Sequence, residues 1–331
     1  MRYIESSCTD PRWNLAMEEY VFSRMDPKHT YFILWQNHNT IVIGKNQNTV
    51  AEVNAQFVKE NDISVVRRLS GGGAVYHDLG NLNFTFIADA DKMNEIDFGR
   101  FCLPVIQTLQ KLGIPAELNG RNDMTIQGKK FSGNSQYTRN GRVLHHGTLL
   151  FSSNLGVVSQ ALQVNKEKLL SKGISSVSSR VCNISDYLPE QITIADFKRE
   201  LLRSILQSES PETYIFSPED LDAIQKIKET RYDLWDWNYG YSPRYEITKS
   251  RRFEGCGTVE VSYSVDRGVI QGLQFLGDFF HVGNPDELAQ LLTGCCIQRQ
   301  ALEQRLSNNL AASYIKNLNS RDLVDLISEG Q

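Results

Sequence analysis

Behind Asp10-Pro11, the residues Trp13, Ala16, Met17 and Tyr20 recur at i, i+3, i+4 and i+7. With an aspartate as N-cap and proline at the first helical position, the spacing predicts an amphipathic first helix. Its polar face carries Glu18 and Glu19, which read as solvated charges. The period then changes. Tyr31-Phe32-Ile33-Leu34-Trp35 and Thr40-Ile41-Val42-Ile43 are short apolar runs bounded by Asn and Gly, and a third run covers 63–66. Residues 83–87 alternate like a half-buried strand, and a further strand is expected over 142–151. Between them a helix is predicted over 98–112, stopped by Gly113 with Pro115 just beyond.

The texture changes near residue 152. Residues 172–180 are serine-rich with few large apolar side chains, which predicts a long, mobile loop that also leaves Cys182 in mobile surroundings. Helices follow over 194–205, capped by Thr193, and over 218–230, capped by Ser217 with Glu219 and Asp220 in the first turn. An aromatic segment from Trp235 to Tyr241 ends in turn chemistry, and a domain boundary is placed at 246. Beyond it, 257–265 and 268–275 read as paired strands, with helices opening at Asn284-Pro285 and Ser320-Arg321. The expected organisation is a domain of residues 1–246 and a small α+β domain of residues 247–331.

Composition narrows the function classes. The 331 residues are 40% hydrophobic with a formal charge of −4, which argues against general nucleic-acid binding. The start has no apolar signal core and no apolar run approaches a membrane span, so a cytoplasmic protein without membrane partners is expected. Six cysteines without CxxC spacing read as reduced thiols.

The most informative segment is Arg67-Arg68-Leu69-Ser70-Gly71-Gly72-Gly73-Ala74-Val75-Tyr76-His77-Asp78. Three glycines expose backbone N–H groups, and arginine adds a permanently charged fork, so the loop suits an anion. Taken alone it is equally a flexible turn. Three further segments carry more polar groups than their surroundings require: Asn119-Gly120-Arg121-Asn122-Asp123, Gly128-Lys129-Lys130-Phe131-Ser132-Gly133-Asn134 and His145-His146-Gly147-Thr148. Separately these read as a hairpin turn, solvated turn lysines and a strand in which only one histidine can face a given side. No P-loop, no GxGxxG and no zinc spacing is present.

In this order, the four segments resemble the lipoate–protein ligase A family. The resemblance continues through Leu34-Trp35-Gln36-Asn37, Ile43-Gly44-Lys45-Asn46-Gln47-Asn48 and 172–181, and the last part is similar to the C-terminal accessory domain of bacterial ligases. It implies a biotin/lipoate ligase fold, an α/β (α+β) architecture with a mixed sheet related to class II synthetases. It also implies an adenylate-forming reaction: lipoate and ATP give lipoyl-AMP, and the acyl group then passes to a lysine of a lipoyl domain. Position 69 is leucine where some relatives have a third arginine, and Cys182 stands where threonine is expected.

By the same resemblance, Lys130 is the catalytic lysine. Lipoyl-AMP is expected to contact Trp35, Arg68, Ser70, Gly71, Gly72, Gly73, Val75, His77, Asn81, Asn122, Asp123, Ser132, His146, Gly147 and Thr148. Lys172, Gly173, Ile174, Ser179 and Arg180 would form an adenylate-binding loop, and Asp123 would hold Mg2+ on ATP. Expected partners are lipoate or octanoate, 2-oxoacid dehydrogenase E2 lipoyl domains and the glycine-cleavage H protein, with the ligase a monomer serving lipoate scavenging. The alternatives are an acyl amidotransferase between carrier proteins, which would need a nucleophilic thiol, and a lipoate-binding protein without turnover.

Overall fold

The computed structural model describes residues 1–90, 97–120, 122–161, 180–208, 213–239, 247–266 and 268–328. By spatial contact these fall into two units. The first holds Met1–Ile43, Thr49–Leu69 and Ala74–Asn238; the second holds Gly44–Asn48, Ser70–Gly73 and Tyr239–Gln331.

Among the described residues, the first unit is built on a seven-stranded sheet. Its strands are β1 (Arg2–Glu5), β2 (Tyr31–Trp35), β6 (Asn81–Asp89), β7 (Ala116–Asn119), β8 (Asp123–Ile126), β9 (Lys129–Arg139) and β10 (Arg142–Leu150), in the spatial order β1-β2-β6-β10-β9-β8-β7. β1 runs parallel to β2 and the other pairings are antiparallel, so the sheet is mixed. A smaller sheet places β3 (Thr40–Ile43) between β4 (Ser64–Arg67) and β5 (Val75–His77).

Helix α1 (Pro11–Arg24) begins where expected, with the Asp10 carboxylate accepting the Arg12 N–H at 2.9 Å. Its buried face differs from the predicted one. Asn14, Leu15, Glu18, Val21 and Phe22 are buried with Ala16 and Met17, whereas Trp13 and Tyr20 are half-buried. The inner stripe is therefore centred on Leu15, Glu18 and Phe22, which rest on the sheet face of Ile33, Trp35, Ile87 and Leu144. Glu18 is not a solvated charge but a core residue. Glu19 is also tied down, by the Arg231 guanidinium at 2.9 Å and the Tyr232 hydroxyl at 2.9 Å. On the opposite sheet face, Phe101 of α2 (Gly99–Lys111) stacks on His145 at 5.0 Å and meets Phe86.

The helices α3 (Ile194–Leu206) and α4 (Pro218–Ile227) both open with capping boxes, from Thr193 and Ser217. The second was expected to reach 230; α geometry stops at Ile227 and a π turn, Lys228–Tyr232, follows. That turn delivers Trp237 and Asn238 to the end of β4. The Arg67 N–H donates to Asn238 Oδ1 at 2.9 Å, its Nε to Trp237 O at 2.9 Å and its Nη2 to Thr49 Oγ1 at 2.6 Å. Trp237 Nε1 returns a bond to Arg67 O at 2.8 Å. Arg67 is thus a buried tether, its fork consumed by the fold.

The second unit contains the antiparallel sheet β11 (Ile247–Phe253), β12 (Gly257–Asp266) and β13 (Val269–Gly277). Helices α5 (Pro285–Leu292) and α6 (Ser320–Ser328) add Leu288, Leu292, Leu323 and Ile327 to its apolar core. Within this unit the glycine loop is held by backbone: Lys45 N–H donates to Ser70 O at 2.8 Å, Gly277 N–H to Asn46 O at 2.7 Å and Gly72 N–H to Phe279 O at 3.3 Å. A Cβ on Gly71 would stand 2.6 Å from Phe279 O, so only glycine allows this approach. Among the described residues no helix is long and apolar enough to cross a membrane.

Candidate active site

Strand register assembles the site. Thr85 of β6 faces Ile33 of β2 and His146 of β10, while Asn83 faces Trp35 and Thr148. Because side chains alternate across a sheet, these residues form two adjacent polar rows on the face that receives α1. Glu18 comes down onto them. Its carboxylate accepts from the Thr85 hydroxyl, and both oxygens lie 3.2 Å from His146 Nδ1. Trp35 Nε1 donates to Thr85 Oγ1 at 2.9 Å, which fixes the indole over the same face.

Arg68 and His77 enter from the small sheet. Both are buried, and Arg68 Nη1 donates to Val42 O at 3.2 Å. Burial lowers the Arg68 pKa to about 10 despite the opposing Glu18 charge, so it stays cationic at neutral pH. His77 is lowered to about 3, by burial first and then by Arg68 and His146, so its ring is neutral. Its edge meets the Trp35 ring at 6.0 Å.

Lys130 lies on β9 rather than in the turn before it, since Gln127 and Gly128 take the positive φ angles of that hairpin. A bulge opposite Met124 and Thr125 breaks strict alternation. The Lys130 side chain consequently crosses Gly133, where a Cβ would sit 3.0 Å from Nζ, and meets Asp123 Oδ1 at 2.8 Å. Gly133 N–H donates to Thr148 Oγ1 at 3.1 Å, joining this pair to the polar rows. The backbone of Lys130 is pinned from the other side, accepting from Cys182 N–H at 3.0 Å and donating to Arg180 O at 2.7 Å. Cys182 is therefore buried against β9 rather than carried in a mobile loop, and burial pushes its thiol up, as for an inert cysteine.

The expected residues separate. Trp35, Arg68, His77, Asp123, Lys130, His146 and Thr148 gather around one face of the first unit. Asn81 and Asn83 support it, with Asn81 Nδ2 donating to Asn83 Oδ1 at 2.9 Å. Asn122 is a structural clasp, its Nδ2 donating to Asn134 O at 2.6 Å. Ser132 bonds Asn134, and a Cβ on Gly147 would meet Asn134 Oδ1 at 2.2 Å and Phe84 at 2.6 Å, so both belong to the far side of the sheet. Val75 lies half-buried on β5. Ser70, Gly71, Gly72 and Gly73 belong to the second unit. Lys172, Gly173, Ile174 and Ser179 lie outside the described residues; Arg180 is described and half-buried. Glu18 and Thr85, which are not among the expected residues, stand on the same face. The signal for Glu18 was its i+4 spacing from Asn14 between Leu15 and Phe22, a polar pair inside an apolar stripe.

Among the described residues no cluster of three or more His, Cys, Asp or Glu could hold a metal ion. Asp123 offers one carboxylate. That donor set fits Mg2+ arriving with a nucleotide, since Mg2+ commonly takes one or two protein carboxylates and completes its shell with phosphates and water.

Arg68, the Lys130–Asp123 ion pair and a neutral His77 on a mixed sheet make up the candidate site of an α/β domain that is followed by a C-terminal unit. Comparison gives its family. The model of the lipoyl protein ligase A/B catalytic domain matches residues 10–206, and that of the bacterial lipoate protein ligase C-terminus matches 242–327. The chain is 44% identical to the lipoate–protein ligase LplJ of Bacillus subtilis (strain 168), over 99% of this chain and 100% of that protein. In fold it resembles P. falciparum LipL1 in complex with lipoate, with a TM-score of 0.81 and 24% identity over 99% of this chain and 98% of that one. A lipoate–protein ligase A bound with ATP gives a TM-score of 0.62 at 24% identity, over 73% of this chain and 99% of that one. The chain belongs to the lipoate–protein ligase family, of the bacterial type with a C-terminal domain, and is a ligase.

Proposed function

We propose that this ligase is ATP-dependent and works in two steps. The lipoate carboxylate attacks the α-phosphorus of ATP, displacing pyrophosphate and leaving lipoyl-AMP. A lysine amine of a lipoyl domain then attacks the lipoyl carbonyl, AMP departs and an amide remains. The observation that carries this reading is Lys130, drawn across Gly133 to Asp123 beside a buried face that holds Arg68.

Two anions must meet in the first step, and fixed cations offset their repulsion most strongly where water is excluded. Arg68 supplies a permanent charge at the carboxylate end. Lys130 exchanges its Asp123 partner for substrate oxygens and stabilises the negative charge developing at the anhydride in both steps. Asp123 would hold Mg2+, which supplies charge neutralisation on the phosphates. Trp35, with Glu18, Thr85 and His146 behind it, lines the path of the acyl chain, and Thr148 positions the Gly133 amide beside Lys130. Val75 would line the adenylate side of this face, from which water must be excluded because a mixed anhydride hydrolyses. Acceptors would be lipoyl domains of E2 subunits and the H protein; octanoate is a second acyl substrate. A thiol-dependent amidotransferase is disfavoured by the inert setting of Cys182.

ATP–pyrophosphate exchange tests the reading. Exchange should appear with lipoate and vanish without it; absence of lipoate-dependent exchange rejects the adenylating mechanism.

A further inference from the structure

Behind His77 a chain of amides ends on two backbone carbonyls, and this end fixes the direction of the hydrogen bonds that run from Asn14 through Asn37 to the imidazole. Asn14 Nδ2 lies 2.9 Å from Cys8 O, 2.9 Å from Gln36 O and 3.0 Å from Asn37 Oδ1. Peptide carbonyls only accept, so the Asn14 group facing them is its NH2. Its other atom accepts from the Ser6 hydroxyl at 2.7 Å, in agreement. Asn37 consequently turns its carbonyl oxygen to Asn14 and its NH2 to His77 Nδ1, 3.1 Å away. Asn83 repeats the orientation: its Oδ1 accepts from Asn81, leaving Nδ2 directed at the same Nδ1 at 3.5 Å.

A nitrogen that receives N–H groups carries no proton of its own. In a neutral imidazole the proton then sits on Nε2. Nε2 is buried and has no hydrogen-bond partner among the described residues. An unmatched buried donor is costly, which marks a place where a ligand atom completes the pair.

We propose that Asn37, oriented by Asn14, is a positioning residue that holds His77 as its Nε2–H tautomer, so that the site offers an uncharged donor to an acceptor oxygen of the bound substrate. The neighbouring Arg68 explains why the donor is uncharged: a second buried cation beside it would be repelled, and burial holds the ring neutral. The acceptor oxygen belongs to a carboxylate or a phosphate, and a group presenting N–H at this point is refused. The identity of the substrate rests on the ligase reading; the tautomer does not.

The test begins with the ligand-free wild-type protein, 15N-labelled at histidine, in a long-range 1H–15N spectrum. His77 should show a protonated, pyrrole-type Nε2 and a bare, pyridine-type Nδ1; the reverse overturns the proposal. Lipoate and a non-hydrolysable ATP analogue are then added separately. A shift of the Nε2 proton with one of them assigns the acceptor to carboxylate or phosphate, and no shift with either overturns the donor role. Asn37→Asp places an acceptor against Nδ1 and draws the proton there. It should lower kcat/KM for exchange at least about tenfold with unchanged circular dichroism, whereas a loss below about twofold contradicts the proposal. Should Asn37→Asp fail to fold, the wild-type spectrum still decides. Wild-type protein without lipoate-dependent exchange would reject the adenylating mechanism while leaving the tautomer result standing.

Discussion

At the level of single residues, Lys130 and Glu18 hold opposite positions. Lys130 is about a third exposed, with a side chain at 37%, and its partner Asp123 matches it. Its ammonium can leave that carboxylate for a substrate oxygen at little cost, because an ion pair open to water is weak. Lys130→Ala should therefore abolish lipoyl-AMP formation while leaving the thermal transition within a few degrees of wild type. Near-normal adenylation in that variant would remove Lys130 from the reaction. Glu18, with a side chain only 3% exposed, is an acceptor for two buried groups, the Thr85 hydroxyl and His146 Nδ1. Truncating it leaves both donors in a dry environment. Glu18→Ala should cost about 1–3 kcal/mol in urea unfolding, and a variant as stable as wild type would mean that the carboxylate is not the buried partner of these donors.

Among elements, the decisive device is the clasp between the π turn and β4. An extra residue per turn rotates Trp237 and Asn238 relative to a continued α-helix and lets Asn238 meet the ladder position of Arg67. Asn238 makes further bonds, from its Nδ2 to Tyr232 O at 2.8 Å and Leu234 O at 3.1 Å. With both amide atoms engaged, Asn238→Ala should lower stability by about 1–3 kcal/mol. It should also weaken lipoate-dependent exchange, because the strand end it holds leads directly to Arg68. An effect on stability with catalysis per folded molecule unchanged would show that β4 keeps Arg68 in place without the clasp. Register has equal weight in the large sheet. One residue of slip between β6 and β10 would turn Thr85 and His146 to opposite faces and dissolve the polar rows.

On the scale of the molecule, three histidines are buried in neutral form. His145 is held well below its ordinary pKa by burial, His77 is lowered to about 3 and His281 to about 4. In the unfolded chain each titrates near 6.5. Below that pH the unfolded state binds protons that the folded state refuses, so stability falls as pH drops from 6.5. Each histidine contributes about 1.4 kcal/mol per pH unit once the unfolded form is fully protonated and while its own folded pKa lies lower. Urea midpoints should fall between pH 7 and pH 5, and His145→Gln should flatten the dependence. An unchanged slope in that variant would mean that His145 is protonated in the folded protein.

Local chemistry made much of this legible from sequence. The Asp10-Pro11 start, the Thr193 and Ser217 caps, the apolar strands of the first half and the hairpin of the second unit depend on near neighbours in the chain, and each formed within a few residues of its expected place. The segments carrying Arg68, His77, Asp123, Lys130 and His146 were likewise visible as polar groups in β surroundings. Long-range packing decided the rest. Arg67 and Arg68 are identical in sequence terms, yet one is spent on Trp237 and Asn238 and the other faces Glu18. Glu18 looks like any helical surface acid until the sheet closes over it. The proton on His77 is set by carbonyls at Cys8 and Gln36, far from it in the chain. Hydrogen-bond direction and desolvation depend on which atoms meet in space, and those meetings are made only by the tertiary fold.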